Sequence, residues 1–167
     1  MTSVSKTTDP VMTIRPATSA DVPALGKLAV ILVRTHHDFD AQRFIEATPE
    51  TEKGYGSYLG SQVGRKDVIV LVAEIGGEVV GYTYAGLEGY DYMALRGPAG
   101  ALYDIVVDPA RRRLGIGRML LDATLAALQA LGAPRVVLGT AQRNDAAQHL
   151  FEGMGFRRTM IEMTREL

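Results

Sequence analysis

Between Asp108 and Leu121 the chain sets four arginines and two glycines, Arg111-Arg112-Arg113-Leu114-Gly115-Ile116-Gly117-Arg118, where a strand-like run meets a helical one. Leu102 to Val107 alternates as a strand, Asp108-Pro109 stops it, and an apolar-periodic helix starts after the glycines. Glycine lets the backbone approach a ligand, the first helical N–H groups have no intrahelical acceptor, and guanidinium groups add positive charge. Together these features suit a diphosphate or a similar anion. Arg112, Arg113, Leu114, Gly115, Ile116, Gly117 and Arg118 are therefore the candidate anion-binding residues. A helix-entry arginine cluster is otherwise a solvated face. The strand–turn–helix context moves the balance toward phosphate.

Other residue types are suggestive rather than specific. Asp104 lies in the strand before the turn, where it is either a proton acceptor or a hydrogen-bonded strand residue. Tyr82 and Tyr84 share one face of the preceding strand, and strand alternation predicts that Tyr103 and Asp104 point to opposite faces. His36, His37, Asp38 and Asp40 follow the first predicted helix, where acidic groups would attract a cationic amine or simply solvate a helix end. Adjacent histidines point apart on a helix, so a metal site there is disfavoured. Tyr92 sits with Glu88, Tyr90, Asp91 and Arg96 in a long segment that is either a lid or a plain connector.

Elements must hold these residues in place. A run at Val11 to Arg15 reads as a first strand. Thr18-Ser19-Ala20-Asp21 has capping-box form, and Val22, Leu25, Leu28, Ala29, Leu32 and Val33 recur at helical spacing to about Arg34. A weaker helical stretch from Asp40 to Gly64 is broken at Thr48-Pro49. Gly54, Gly56 and Gly60 lower its propensity, which predicts a mobile segment rather than a core element. Val68 to Ile75 and Val79 to Leu87 flank Gly76-Gly77-Glu78, a hairpin signal. Leu120, Leu121, Thr124, Leu125, Leu128 and Leu131 form the buried face of the helix after the turn, which stops at Gly132. Arg135 to Thr140 reads as a strand, Asn144 as the cap of a last helix, and Phe156 to Leu167 as a final strand. His149 falls on the surface of that last helix.

The chain of 167 residues is 47% apolar and 22% charged, the values of an ordinary globular domain. Its 18 basic and 19 acidic residues give a net charge of −1, which argues against a nucleic-acid partner. With no cysteine, disulfides, thiolate catalysis and cysteine-held zinc are excluded. No apolar run approaches the ~20 residues of a membrane span, and Met1 to Pro10 reads as a polar, disordered tail, so a cytoplasmic protein with one domain over residues 11–167 is expected.

The element order, the Arg112-x-x-Gly115-x-Gly117 turn and a second signature, Asn144…Ala147…Leu150-Phe151…Gly155-Phe156, resemble the GNAT superfamily of acetyl-CoA-dependent N-acetyltransferases. The resemblance covers Val11 to Leu167. It implies an α/β fold: a central mixed, mostly antiparallel twisted sheet with helices on both faces. It further implies that the amides from Arg113 to Arg118 cradle the pyrophosphate of CoA. Ile105, Val106 and Val107 would bind the pantetheine arm where two strands splay apart, with a backbone N–H near Val106 or Val107 polarising the acetyl carbonyl. Asn144 and Ala147 would line the coenzyme site, with Phe151 beside the thioester sulfur. The acceptor would be a primary amine, of a small cationic molecule or of a protein, met by His36, Asp38, Tyr84 and Tyr92. No metal is implied, because aminolysis of a thioester is downhill.

Two positions depart from the family pattern. Phe151 stands where many relatives carry a tyrosine acid, and Ala101 stands near where many carry a glutamate base. Three readings follow: the thiolate leaves unaided, a nearby residue such as Asp104 substitutes, or the chain is an acyl-CoA-binding regulatory module with little turnover. The short ending implies an open sheet edge and hence a homodimer.

Overall fold

The computed structural model describes residues 11–167, and the expected tail, residues 1–10, lies outside the described residues. Five strands form one sheet in chain order: β1 (Met12–Pro16), β2 (Val68–Ile75), β3 (Glu78–Glu88), β4 (Ala99–Val107) and β5 (Val136–Leu138). The first three pairings are antiparallel and β4–β5 is parallel, which is the mixed sheet the sequence implies. Four α-helices accompany it among the described residues: α1 (Val22–Phe39), α2 (Thr51–Gln62), α3 (Ile116–Ala130) and α4 (Asp145–Gly153).

Helices cover both faces. Leu25, Leu28 and Ala29 of α1 and Leu59 of α2 pack with Val70, Val72, Tyr82, Tyr84 and Val106 on one face. On the other, Leu121 and Leu128 of α3 and Phe151 of α4 pack with Ile69, Ala85 and Leu102. The two-residue alternation of the strands divides the side chains between these layers.

Local rules account for most of the boundaries. The Thr18 N–H donates to Asp21 Oδ2 at 2.7 Å, as the capping box requires. Arg15 holds the same carboxylate through two nitrogens and also pairs with Glu74, tying the start of α1 to β1 and β2. Gly76 and Gly77 have φ of 58° and 83°, the left-handed pair that a two-residue hairpin turn needs. Asn144 Oδ1 accepts from the Ala147 N–H at 3.2 Å and so caps α4.

Several expectations are corrected. Helix α1 runs past Arg34 to Phe39, so His36, His37 and Asp38 lie in its last turn and not beyond it. Leu131 falls outside α3 and is 38% exposed. Of the glycines read as loosening the Asp40–Gly64 stretch, Gly56 and Gly60 are packing residues of α2, whereas Gly54 is exposed with no neighbour against it. A Cβ on Gly26 would sit 2.4 Å from the Glu52 carbonyl oxygen, and one on Gly60 would sit 2.8 Å from a Val22 methyl carbon. The helices α1 and α2 approach closely because those positions carry no side chain. The β5 strand is three residues rather than six, ending at Leu138, and Phe156 to Leu167 forms no strand. Arg157, Arg158, Glu162, Arg165 and Glu166 break the alternation of that tail, and an edge three residues long offers few bonds to recruit it. Arg158 instead pairs with Glu152, and Arg43 with Glu162.

Candidate active site

The strand β4 pairs with β5 only from Gly100 to Leu102 and with β3 all the way to Val107. Asp108 N–H donates to the Val80 carbonyl at 2.8 Å, which fixes the direction of the last β4 amides. By alternation, Val106 spends its backbone groups on β3, whereas the N–H and C=O of Ile105 and Val107 face the edge that β5 has left. Of the three residues expected to present main chain to a ligand arm, two therefore do so.

At the end of this open edge Asp108 Oδ1 accepts from the Ala110 N–H, and a 3₁₀ turn over Pro109–Arg111 leads into the glycines. Gly115 precedes α3 with φ 76°, and Arg113 has φ 64°, a conformation a non-glycine side chain adopts at a cost. The first α3 bond runs from the Met119 N–H to the Gly115 carbonyl, so the N–H groups of Ile116, Gly117 and Arg118 have no helical acceptor. Arg112, Arg113, Leu114 and Arg118 are exposed. A Cβ on Gly117 would make only ordinary contacts, the nearest at 3.5 Å from Leu150. Protein packing does not require glycine there, which leaves the bare backbone available to an anion. Asn144 spends its oxygen on the α4 cap, and its amide NH₂ donates to no residue among the described ones. Ala147 is half-buried beside it.

The opposite face of β4 is different in kind. Between Tyr84 and Ala85 of β3 the β4 register shifts, and Tyr103 is the bulged residue. The bulge overturns the alternation expected there: Tyr103 packs on Tyr84 with its ring tilted by 40° at 4.8 Å between centroids, on the face that Asp104 also uses. Asp104 is buried, and both its oxygens accept from Tyr55 Oη, at 3.0 and 2.9 Å, while Oδ2 also accepts from Tyr82 Oη at 3.0 Å. Burial raises the pKa of Asp104, and the two phenol bonds and nearby His36 offset only part of that rise. Burial and the Asp104 charge raise the pKa of both phenols, which stay protonated as donors. Next to this group Tyr58 and Tyr84 share a 2.9 Å hydroxyl bond. Tyr103 donates to Glu88 at 2.8 Å, and burial followed by Glu88 pushes its phenol up to about 12.

Of the residues expected to meet an acceptor, Tyr84 joins this cluster and His36 borders it. His36 Nδ1 lies 2.9 Å from the Leu32 carbonyl and its ring packs on Phe44. Asp38 and Tyr92 are exposed and bond to no member of the cluster among the described residues. Tyr92 stacks on Tyr90 instead, in a loop closed by the Asp91–Arg96 bridge. Arg96 pairs with Glu88 as well, so the segment is tied down at its base. Phe151 is 5% exposed and packs in the α3 layer against Phe156. Ala101 is buried between Gly86 and Val137. His149 lies on the surface as expected.

Sequence reading missed Tyr55 and Tyr58. Their i, i+3 spacing places both on one face of a helix, a signal hidden by the glycines around them.

Residues 32–156 match the model of the acetyltransferase (GNAT) family. A mycothiol acetyltransferase of Thermobispora bispora is 38% identical over 97 residues, which is 56% of this chain and 31% of that protein. The chain thus spans about a third of the length of this relative. A solved structure from Bacillus halodurans has the same fold, with a TM-score of 0.79 at 23% identity over 93% of this chain and 99% of that one. An aminoglycoside N-acetyltransferase solved in complex with CoA shares the fold with a TM-score of 0.73, at 17% identity over 96% of this chain and 97% of that one.

Proposed function

The chain belongs to the acetyltransferase (GNAT) family, and on that premise we propose that it moves the acetyl group of acetyl-CoA to a primary amine on a small cationic molecule. The reading is direct transfer in a ternary complex. The observation that carries it is the open β4 edge, which runs from the Asp104 cluster to the glycine turn. One strand thereby joins a proton-accepting group to an anion cradle. The named activities of the relatives, one on mycothiol and others on aminoglycosides, support an amine acceptor.

The residues divide the work as follows. The amides from Arg113 to Arg118, with the α3 dipole contributing ~1 kcal/mol, bind a diphosphate, and the exposed arginines add charge. Ile105 and Val107 bind an extended amide-bearing arm as a further strand would, and the Val107 N–H is the donor for a carbonyl at its end. Acetyl-CoA, when bound, supplies the activated acetyl group and a thiolate leaving group. Asp104 takes the proton that the amine must lose, since Ala101 and Phe151 have no group to exchange one. Holding both reactants at this strand supplies several kcal/mol of the barrier reduction.

A cytoplasmic homodimer completes the reading. The outer edge of β5 carries no partner strand among the described residues, and although three residues offer few bonds, this is the sheet edge a second copy would meet; sedimentation as a monomer would refute it.

Release of CoA thiol from acetyl-CoA across a panel of amines tests the enzyme. Steady release with a cationic amine is expected. The buried, non-ionisable Ala101 and Phe151 favour one other reading, a regulatory acyl-CoA-binding module. Tight acetyl-CoA binding with no thiol release from any amine would establish that module instead.

A further inference from the structure

Asp104 is a buried carboxylate with no lysine or arginine bonded to it among the described residues. A carboxylate removed from water is costly unless every lone pair is met. Here the only bonds come from two phenols on different elements, Tyr55 of α2 and Tyr82 of β3. Tyr82 is fully buried, and its hydroxyl bonds to Asp104 alone among the described residues. Tyr55 arrives on a helix held to α1 by glycine contacts at Gly26 and Gly56, so its position is fixed by backbone packing. Two rigid donors therefore grip one carboxylate just past the point where β5 leaves β4.

We propose that Tyr55 and Tyr82 are positioning residues, which hold the Asp104 carboxylate beside the opening in the sheet where the acceptor amine gives up its proton. The proposal rests on the acetyl-transfer reading and assigns roles to two residues that reading does not use. Each phenol donates to the charged carboxylate and can donate equally when the carboxyl faces a bound ammonium. The proton passes from the amine nitrogen to a carboxylate oxygen, and both phenols keep their own. Other ionisable groups around Asp104 are Tyr58 of α2, Tyr84 of β3 and His36 of α1.

Because the phenol bonds favour the charged form, removing either hydroxyl raises the pH at which Asp104 takes up a proton. The test is carboxyl ¹³C titration of Asp104 in the full chain, assigned with Asp104→Asn, for the native protein, Tyr55→Phe and Tyr82→Phe. Each variant is expected to shift the midpoint upward by about one pH unit. The acid limb of kcat/KM for thiol release should shift by the same amount. Unchanged midpoints overturn the proposal, and so does a limb that stays in place while the midpoints rise. Shifted midpoints in the variants, with a native protein that releases no thiol with any amine, sink the acetyl-transfer reading and leave the grip on Asp104 established. Should Tyr82→Phe fail to fold, Tyr55→Phe decides, since Tyr55 is only half-buried.

Discussion

The open edge of β4 and the face it turns to α1 and α2 are made of different materials. Along the open edge and at the start of α3 the candidate site is main chain: the N–H and C=O of Ile105 and Val107 and the amides of the glycine turn. Toward α1 and α2 it is side chain: a carboxylate, five phenols and a histidine drawn from four elements. Main chain is the same in every residue, so a coenzyme site can persist while the rest of the surface varies. Side chains discriminate, so the proposed function puts the choice of acceptor on the face toward α1 and α2. The comparison also predicts different weaknesses, one conformational and one dependent on helix packing.

The most damaging change falls on the helix side. Gly26→Ala places a Cβ against the Glu52 carbonyl and is expected to cost about 3 kcal/mol of stability by denaturant unfolding. The folded fraction should keep its affinity for CoA. A cost under about 1 kcal/mol would show that α1 and α2 do not need this close approach.

Asp21 anchors the same helix to the sheet, and hydrogen bonds from Arg15, ahead of those from Thr18, hold its carboxyl down at about 2. A depressed carboxylate stabilises the fold above its ordinary pKa of 3.8, and that contribution is lost as pH falls through about 2. Asp21→Asn should therefore cost about 2 kcal/mol at pH 7 and little at the acid end of that window. Melting curves for both proteins across the range check it. A cost that does not change with pH would mean that charge is not the cause.

On the coenzyme side, Gly115→Val forces a branched side chain to φ 76°. We expect at least tenfold weaker CoA binding with about 1–2 kcal/mol of lost stability. Gly117→Val meets no such strain and should weaken binding with little loss of stability. If both variants bind CoA normally, the main-chain cradle is wrong.

The smallest effect belongs to Tyr58→Phe, which removes one hydroxyl bond to Tyr84 at the half-exposed rim of the cluster. It should cost about 0.5–1 kcal/mol in stability and change acceptor KM rather than kcat.

This contrast also explains what the sequence made legible. The glycine turn, the Gly76-Gly77 hairpin, the Thr18–Asp21 box and the Asn144 cap are local devices, each readable within a few residues. The acceptor face depends on contacts between Tyr55, Tyr82 and Asp104, up to 49 residues apart, and no spacing rule reports them. Helix α2 was misjudged because intrinsic propensity penalises glycine, whereas Gly56 and Gly60 are there for packing. Tyr103 was misassigned because one bulged residue cancels alternation. The missing last strand has a similar origin: strand propensity in residues 156–167 is useless without an edge long enough to pair it.

Calorimetric titration of the purified protein with CoA, repeated with Gly117→Val, reaches the central claim most directly. A saturable heat corresponding to one coenzyme per chain, weakened at least tenfold by the substitution, is what amides of the Arg113–Arg118 turn gripping a diphosphate require. No heat from the native protein, or equal affinity in both, contradicts it.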